Sequence, residues 1–120
     1  MELPFRSESF DSVTMVHFID HLLAADRERA AKEIDRVLRP GGAIFGRFFS
    51  VDDIRRGKGK QIEPNTYLRG NGITVHYFIG EEIIGLFKGY TLEKISESKK
   101  LTKFTQGGGH RSFMTVELRK

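Results

Sequence analysis

The sequence contains no cysteine. That excludes disulfides, cysteine-ligated metals and cysteine nucleophiles, and it suits a reducing compartment. It has no apolar run approaching the roughly 20 residues that span a bilayer. No charged-then-apolar segment follows Met1. The expectation is a soluble, cytoplasmic chain with no membrane partner. Apolar residues are few, at 38%, but ten Phe and three Tyr supply large side chains for a core. A length of 120 residues fits one domain, residues 1–120. No internal repeat is present.

The formal charge is +4, with Lys and Arg recurring at 55–60, 94–103 and 119–120 among interspersed acids. A solvated basic surface is the simple reading. No familiar nucleic-acid-binding signature accompanies it, so nucleic acid is not the expected partner.

Phe10 to Phe18 reads as a strand, with Val13, Met15, Val16 and Phe18 apolar. The apolar positions do not alternate strictly, which points to burial on both faces and a parallel sheet. Asp26 to Leu38 reads as a helix with Ala31, Ile34, Val37 and Leu38 on one stripe and Asp26 at its start. Pro40-Gly41-Gly42 closes that unit, because proline cannot continue a helix and glycine accepts positive φ. Ala43 to Phe49 is the next strand, completing a right-handed crossover. Residues 51–79 lack periodicity and hold the basic run Arg55-Arg56-Gly57-Lys58-Gly59-Lys60, with a short strand at Thr74 to Phe78. A stretch this long without structure of its own suggests a lid or substrate segment. A second helix is expected over Glu81 to Lys88. Strands are expected over Leu92 to Ser98 and Phe113 to Leu118, joined at Gly107-Gly108-Gly109 as an antiparallel pair.

Three groups of residues carry a resemblance. They are Leu3-Pro4-Phe5, then Ser9-Phe10-Asp11-Ser12-Val13 with Phe18-Ile19-Asp20-His21-Leu22, then Leu38-Arg39-Pro40-Gly41-Gly42-Ala43-Ile44-Phe45. In this order they resemble the second half of a class I S-adenosylmethionine-dependent methyltransferase. Thr66-Tyr67, His76-Tyr77-Phe78, Glu81-Glu82-Ile83 and the closing Arg119-Lys120 resemble the same family's substrate segment and final strands. The resemblance implies an α/β fold: a partial Rossmann-like sheet holding strands four to seven, the last antiparallel, in spatial order first, second, fourth, third. It also implies S-adenosylmethionine as cofactor and a small-molecule acceptor. The family's glycine-rich turn and its two acidic cofactor anchors have no counterpart in the sequence. The expectation is therefore a truncated methyltransferase or one half of a split enzyme, with weak cofactor binding by this chain alone. The alternative is a non-catalytic remnant serving as a protein-binding or dimerisation module. In that case the Phe10–Phe18 edge pairs with a second copy or with a missing amino-terminal half.

By position in the family pattern, Leu3, Val16, His17 and Phe18 would face the cofactor. His17 is the candidate general base, since histidine titrates near neutral pH. His17 and His21 either act chemically or simply pack; they do not form His-Glu-x-x-His and no third ligand is evident, so no metal site is expected. Arg47 interrupts an apolar strand near its carboxyl end. It is either a clamp on an anionic acceptor or a snorkelling side chain. Tyr67, His76 and Tyr77 either contact substrate or pack.

Overall fold

The structure, a computed structural model, describes residues 2–101 and 109–120. Strand β1, Phe10–Val16, runs parallel to β2, Leu38–Phe49. Between them lies helix α1, Ala24–Val37, preceded by a single 3-10 turn at Ile19–His21. Strand β7, His110–Arg119, pairs antiparallel with β2 on one side and with β6, Thr91–Leu101, on the other. The sheet order is β1-β2-β7-β6, the expected order with the expected antiparallel last strand.

The turn expected at Pro40-Gly41-Gly42 is instead an irregularity inside β2. The helix ends at Val37, and Leu38 is already extended, with φ −87° and ψ 131°. A residue before proline is pushed out of the helical region, so Arg39 cannot prolong α1. Phe10 pairs with Leu38 and Ser12 with Ala43, so the segment between bulges out. Gly41 sits there at φ +82°. Its N–H donates to the Lys120 carbonyl at 2.9 Å, and Lys120 N–H donates to Gly42 O at 2.8 Å. The carboxyl terminus thus takes up the backbone groups that the bulge frees.

Helix α1 begins two residues earlier than expected, so Asp26 is not its cap but lies in its first turn, where its charge meets the helix dipole. The N-cap is Leu23, which has no capping side chain. The first free N–H, on Ala24, donates at 3.0 Å to Glu63 Oε1 from another segment. Arg27, 5% exposed, donates to Leu22 O at 2.7 Å and lies within 4 Å of Glu63 and Glu82. Burial pushes its guanidinium down from the ordinary value, while Glu82 and Glu63 oppose that shift.

Residues 51–79 are not without structure. They hold a three-stranded antiparallel meander of β3 (Lys60–Glu63), β4 (Thr66–Leu68) and β5 (Thr74–His76). Its small core is Tyr67, Val75 and Tyr77 against Phe49 and Val51. The strands are three or four residues long, too short for periodicity to show in the sequence. A parallel bridge between Ser50 and Phe78 joins meander and main sheet. Helix α2 covers Gly80–Leu86, with Gly80 inside it rather than capping it. Residues 107 and 108 of the expected glycine turn lie outside the described residues.

Both helices pack on one face of the sheet. Ala30, Ala31 and Ile34 of α1, and Ile83 with Phe87, meet Met15, Ile44, Phe48, Met114, Val116 and Leu118. The opposite face is open: Val16 is 62% and Phe45 40% exposed. At Gly46 an added Cβ would lie 2.5 Å from the Phe48 ring, so only glycine lets that ring lie down. Phe48, 1% exposed, fills the centre of the core. Phe48→Ala is expected to cost about 3–5 kcal/mol, and Phe45→Ala on the open face well under half of that. Urea unfolding of the two variants measures the difference.

Candidate functional site

Strand β1 stops at His17, which takes φ +51°, a left-handed conformation uncommon outside glycine and asparagine. Its N–H still donates to Arg47 O at 2.9 Å, so the kink comes at the carboxyl end of two paired strands. In open α/β sheets that end forms the ligand crevice. The His17 ring stacks on Phe49 at 4.0 Å and 16°. Its Nδ1 lies 3.5 Å from Asp20 Oδ2. Asp20 is fully buried, and Oδ2 accepts the Phe49 N–H at 2.6 Å. Its other oxygen, Oδ1, has no donor among the described residues. His21 Nδ1 lies 2.9 Å from Thr74 O, tying the same turn to β5.

Leu3, Val16 and Phe18 come together in the structure. With Val13, Thr14, Met15, Ala30 and Ile34 they line a groove of about 310 Å³ beside the free edge of β1. His17 does not line it, having turned toward Phe49. S-adenosylmethionine joins an apolar adenine and methylthio portion to ribose hydroxyls and charged amino-acid groups. The groove suits the apolar portion. Thr14 is its one polar side chain, and no charged residue lines it, so the polar portion finds no match there.

The four residues expected to meet substrate are not brought together. Arg47 is exposed, its guanidinium 4.7 Å from the Phe113 ring centre, with no carboxylate partner among the described residues. Tyr67 and Tyr77 pack against each other in the meander core. His76, 2% exposed, is held at both nitrogens: Nδ1 by the Thr66 hydroxyl at 2.7 Å and Nε2 by Glu82 at 2.8 Å. It fastens the meander to α2. Among the described residues no group of three His, Asp or Glu side chains could hold a metal ion.

The sequence reading missed several residues near this end of the sheet. Phe49 and Phe113 face each other because the β2–β7 register pairs them, across a separation that no local pattern reveals. Asp53, 3% exposed, accepts from Arg111 Nε at 2.8 Å and from Ser112 N at 2.6 Å. Burial raises the Tyr77 hydroxyl pKa and the Asp53 charge adds to it, while Arg69 and Arg111 act against both. Glu97 on β6 accepts from the Ser50 hydroxyl at 2.9 Å and from the Ser112 hydroxyl at 2.5 Å.

A kinked strand end, a parallel crossover and an antiparallel last strand define a class I, Rossmann-like methyltransferase sheet. A family described as methyltransferase domain matches residues 1–46. Among solved structures, an S-adenosylmethionine-dependent methyltransferase from Methanosarcina mazei superposes with a TM-score of 0.75 at 20% identity. That superposition covers 99% of this chain and 63% of the other. A putative methyltransferase from Bacillus halodurans gives 0.70 at 14% identity, covering 99% and 68%. Among curated relatives, the tRNA N(3)-cytidine methyltransferase METTL2 of Gallus gallus is 31% identical over 96 residues, 77% of this chain. The Mettl2 tRNA N(3)-methylcytidine methyltransferase of Drosophila melanogaster is 32% identical over 89 residues, 71% of this chain. The chain spans about a quarter of the length of these relatives, 26% and 27% respectively. No helix among the described residues is long and apolar enough to cross a membrane.

The Ser112 hydroxyl holds the Glu97 carboxyl below its ordinary value, Ser50 adds to this, and burial opposes it. A lowered carboxylate stabilises the fold above its ordinary pKa of about 4.3 and loses that contribution as pH falls through the lowered value. Glu97→Gln is therefore expected to be less stable than wild type at neutral pH. The gap should narrow as the pH drops below about 4. Thermal melts across that range check it, and a gap that does not change with pH would contradict it.

Proposed function

We propose that this chain is part of an S-adenosylmethionine-dependent methyltransferase that modifies a base nitrogen of RNA, a tRNA cytidine N3 being the leading candidate. The observation that carries the reading is the extent of the likeness to the tRNA relatives. It runs over 96 residues, well past the 46 matched by the general methyltransferase family. The sequence likeness thus reaches beyond the segment that the general family model matches. The net charge of +4 suits a polyanionic substrate. The small-molecule acceptor inferred from family resemblance gives way to this reading, and with it the expectation that nucleic acid is not a partner.

The cofactor supplies an electrophilic methyl group. Cytosine N3 carries a lone pair and loses no proton on methylation, so the acceptor needs no general base. What the protein must provide is in-line placement of the base. His17 then acts by position, its ring stacked on Phe49 at the strand end, rather than as the base. Leu3, Val16 and Phe18 form the apolar wall of the cofactor site. The remaining walls belong to the amino-terminal half of the fold, which pairs with β1 from the same protein or from another.

A second reading has its own observation. Among the described residues the edge of β1 is free, and Val16 beside it is 62% exposed, so this strand can recruit another chain as a dimerisation module. Sedimentation should then show self-association that Val16→Lys abolishes, and a monomer at high concentration would rule it out.

Two measurements test the main reading. Mass spectrometry of nucleosides from total tRNA, with and without the gene, should show loss of a methylated cytidine. Unchanged tRNA methylation would overturn the proposal. Calorimetry on the 120-residue chain should find S-adenosylmethionine binding weaker than about 1 mM. A micromolar constant would show that the β1 wall suffices alone.

A further inference from the structure

Three arginines converge where the meander meets the ends of β2 and β7. Arg55, Arg69 and Arg111 line a recess of about 190 Å³ together with His21, Asn71 and Tyr77, and no carboxylate lines it. They come from three separate stretches of sequence. Asp53 is the acid nearest to hand, and it is already committed. Oδ1 accepts from Arg111 Nε and Ser112 N, and Oδ2 accepts from Arg55 N at 3.1 Å. It therefore aims Arg111 and leaves the terminal nitrogens of that guanidinium without an acceptor among the described residues. The Arg55 guanidinium also has none there. Arg69 lies close enough to the Tyr77 hydroxyl to oppose the rise in its pKa.

Guanidinium forks match phosphate oxygens bidentately. A recess of this size lies below the roughly 300–1,000 Å³ of sites that enclose a whole ligand. It suits one small anionic group of a longer molecule. Beside it lies a half-buried aromatic surface. Arg111 sits 5.6 Å from the Phe49 ring centre and 5.1 Å from that of Phe113, and Arg47 sits 4.7 Å from that of Phe113. His17 completes the stack at the strand end. Phosphate forks adjoining flat rings are the two elements that bind single-stranded nucleic acid. An acidic peptide would use the arginines but not the rings.

We infer that this recess seats one backbone phosphate of an RNA strand, with the adjacent base lying on the Phe49–Phe113 surface toward His17. This rests on the RNA reading above and assigns it a face of the molecule.

The test is fluorescence anisotropy of the chain with a labelled single-stranded RNA of roughly 12 nucleotides, across about 50–200 mM salt. Arg55→Gln/Arg69→Gln is compared with Lys32→Gln/Lys88→Gln, which removes the same charge from an exposed surface elsewhere. The recess variant should lose about tenfold or more in affinity at low salt, and the slope of log K against log salt should fall by about 1.4. The control should change neither to that extent. Phe113→Leu, which keeps the packing but removes the ring, should weaken binding by about tenfold. Recess and control variants binding alike would overturn the inference, as would a wild-type chain that binds no RNA. Full competition by inorganic phosphate would reduce the recess to an ion site, and equal binding of polyglutamate would remove the role of the rings; either result overturns the strand assignment. The nucleoside measurement stands apart from these outcomes. Loss of methylated cytidine with unaffected recess variants refutes the recess alone. Recess-dependent binding with unchanged tRNA methylation refutes the methylation reading alone.

Discussion

The peptide of Phe49 is held from every side, and the candidate site is built on that point. Its N–H is taken by the buried carboxylate of Asp20, and its carbonyl accepts the Phe78 N–H at 2.7 Å. Its ring carries the His17 stack and meets Phe113 and Tyr77. One residue therefore joins the end of β2 to the turn after β1, to the meander and to β7. Buried backbone groups must be paired. If this one were not, strand end, turn and meander would lose their common anchor. The strained φ of His17 persists because it is fixed from both sides: its own N–H to Arg47 O, and its ring on Phe49.

Much of the fold was legible because hydrophobic period and crossover handedness carry the information locally. The stripe of Ala31, Ile34 and Val37 and the alternation of Met114, Val116 and Leu118 set the faces that the structure buries. The corner at Pro40-Gly41-Gly42 was legible as an interruption but not as a bulge. Whether glycine ends an element or kinks it depends on a partner, here Lys120, from the far end of the sequence. The meander was illegible for another reason. Its strands carry three or four residues each, and their order comes from pairing rather than pattern. For the site, the apolar wall of Leu3, Val16 and Phe18 followed from family position. The arginine recess did not, because Arg55, Arg69 and Arg111 meet only after the meander has folded back onto the sheet end.

The two faces of the sheet have different fates. One is closed by α1 and α2 and supplies the stability. The other carries Val16, Phe45, Arg47 and Phe113, which are exposed or half-buried. Apolar side chains on an open face beside an unpaired edge favour association. This asymmetry agrees with a chain that spans about a quarter of its curated relatives and 63% of the Methanosarcina mazei methyltransferase. The proposed cofactor wall and the proposed association surface are the same strip of β1. Pairing a further strand there would extend the sheet and close the groove in one step.

Chemistry follows from which groups are offered and which are not. At the sheet end the available side chains are cations and flat rings, with the acids turned inward. Asp20 serves the Phe49 backbone, and Asp53 serves Arg111 and Ser112. A site that had to remove a proton would need a carboxylate or imidazole free to receive it. The imidazoles at this end are His17, whose ring lies flat on Phe49, and His21, whose Nδ1 meets Thr74 O. That arrangement suits an acceptor whose lone pair attacks directly and whose approach angle decides the rate. Cations beside the acceptor are also tolerable there only if the strand that brings it is itself anionic, because methylation of a neutral base nitrogen leaves a positive charge. A polyanionic backbone meets both needs. In the RNA reading proposed above, the arginines would draw it in, and it would offset the charge the product acquires.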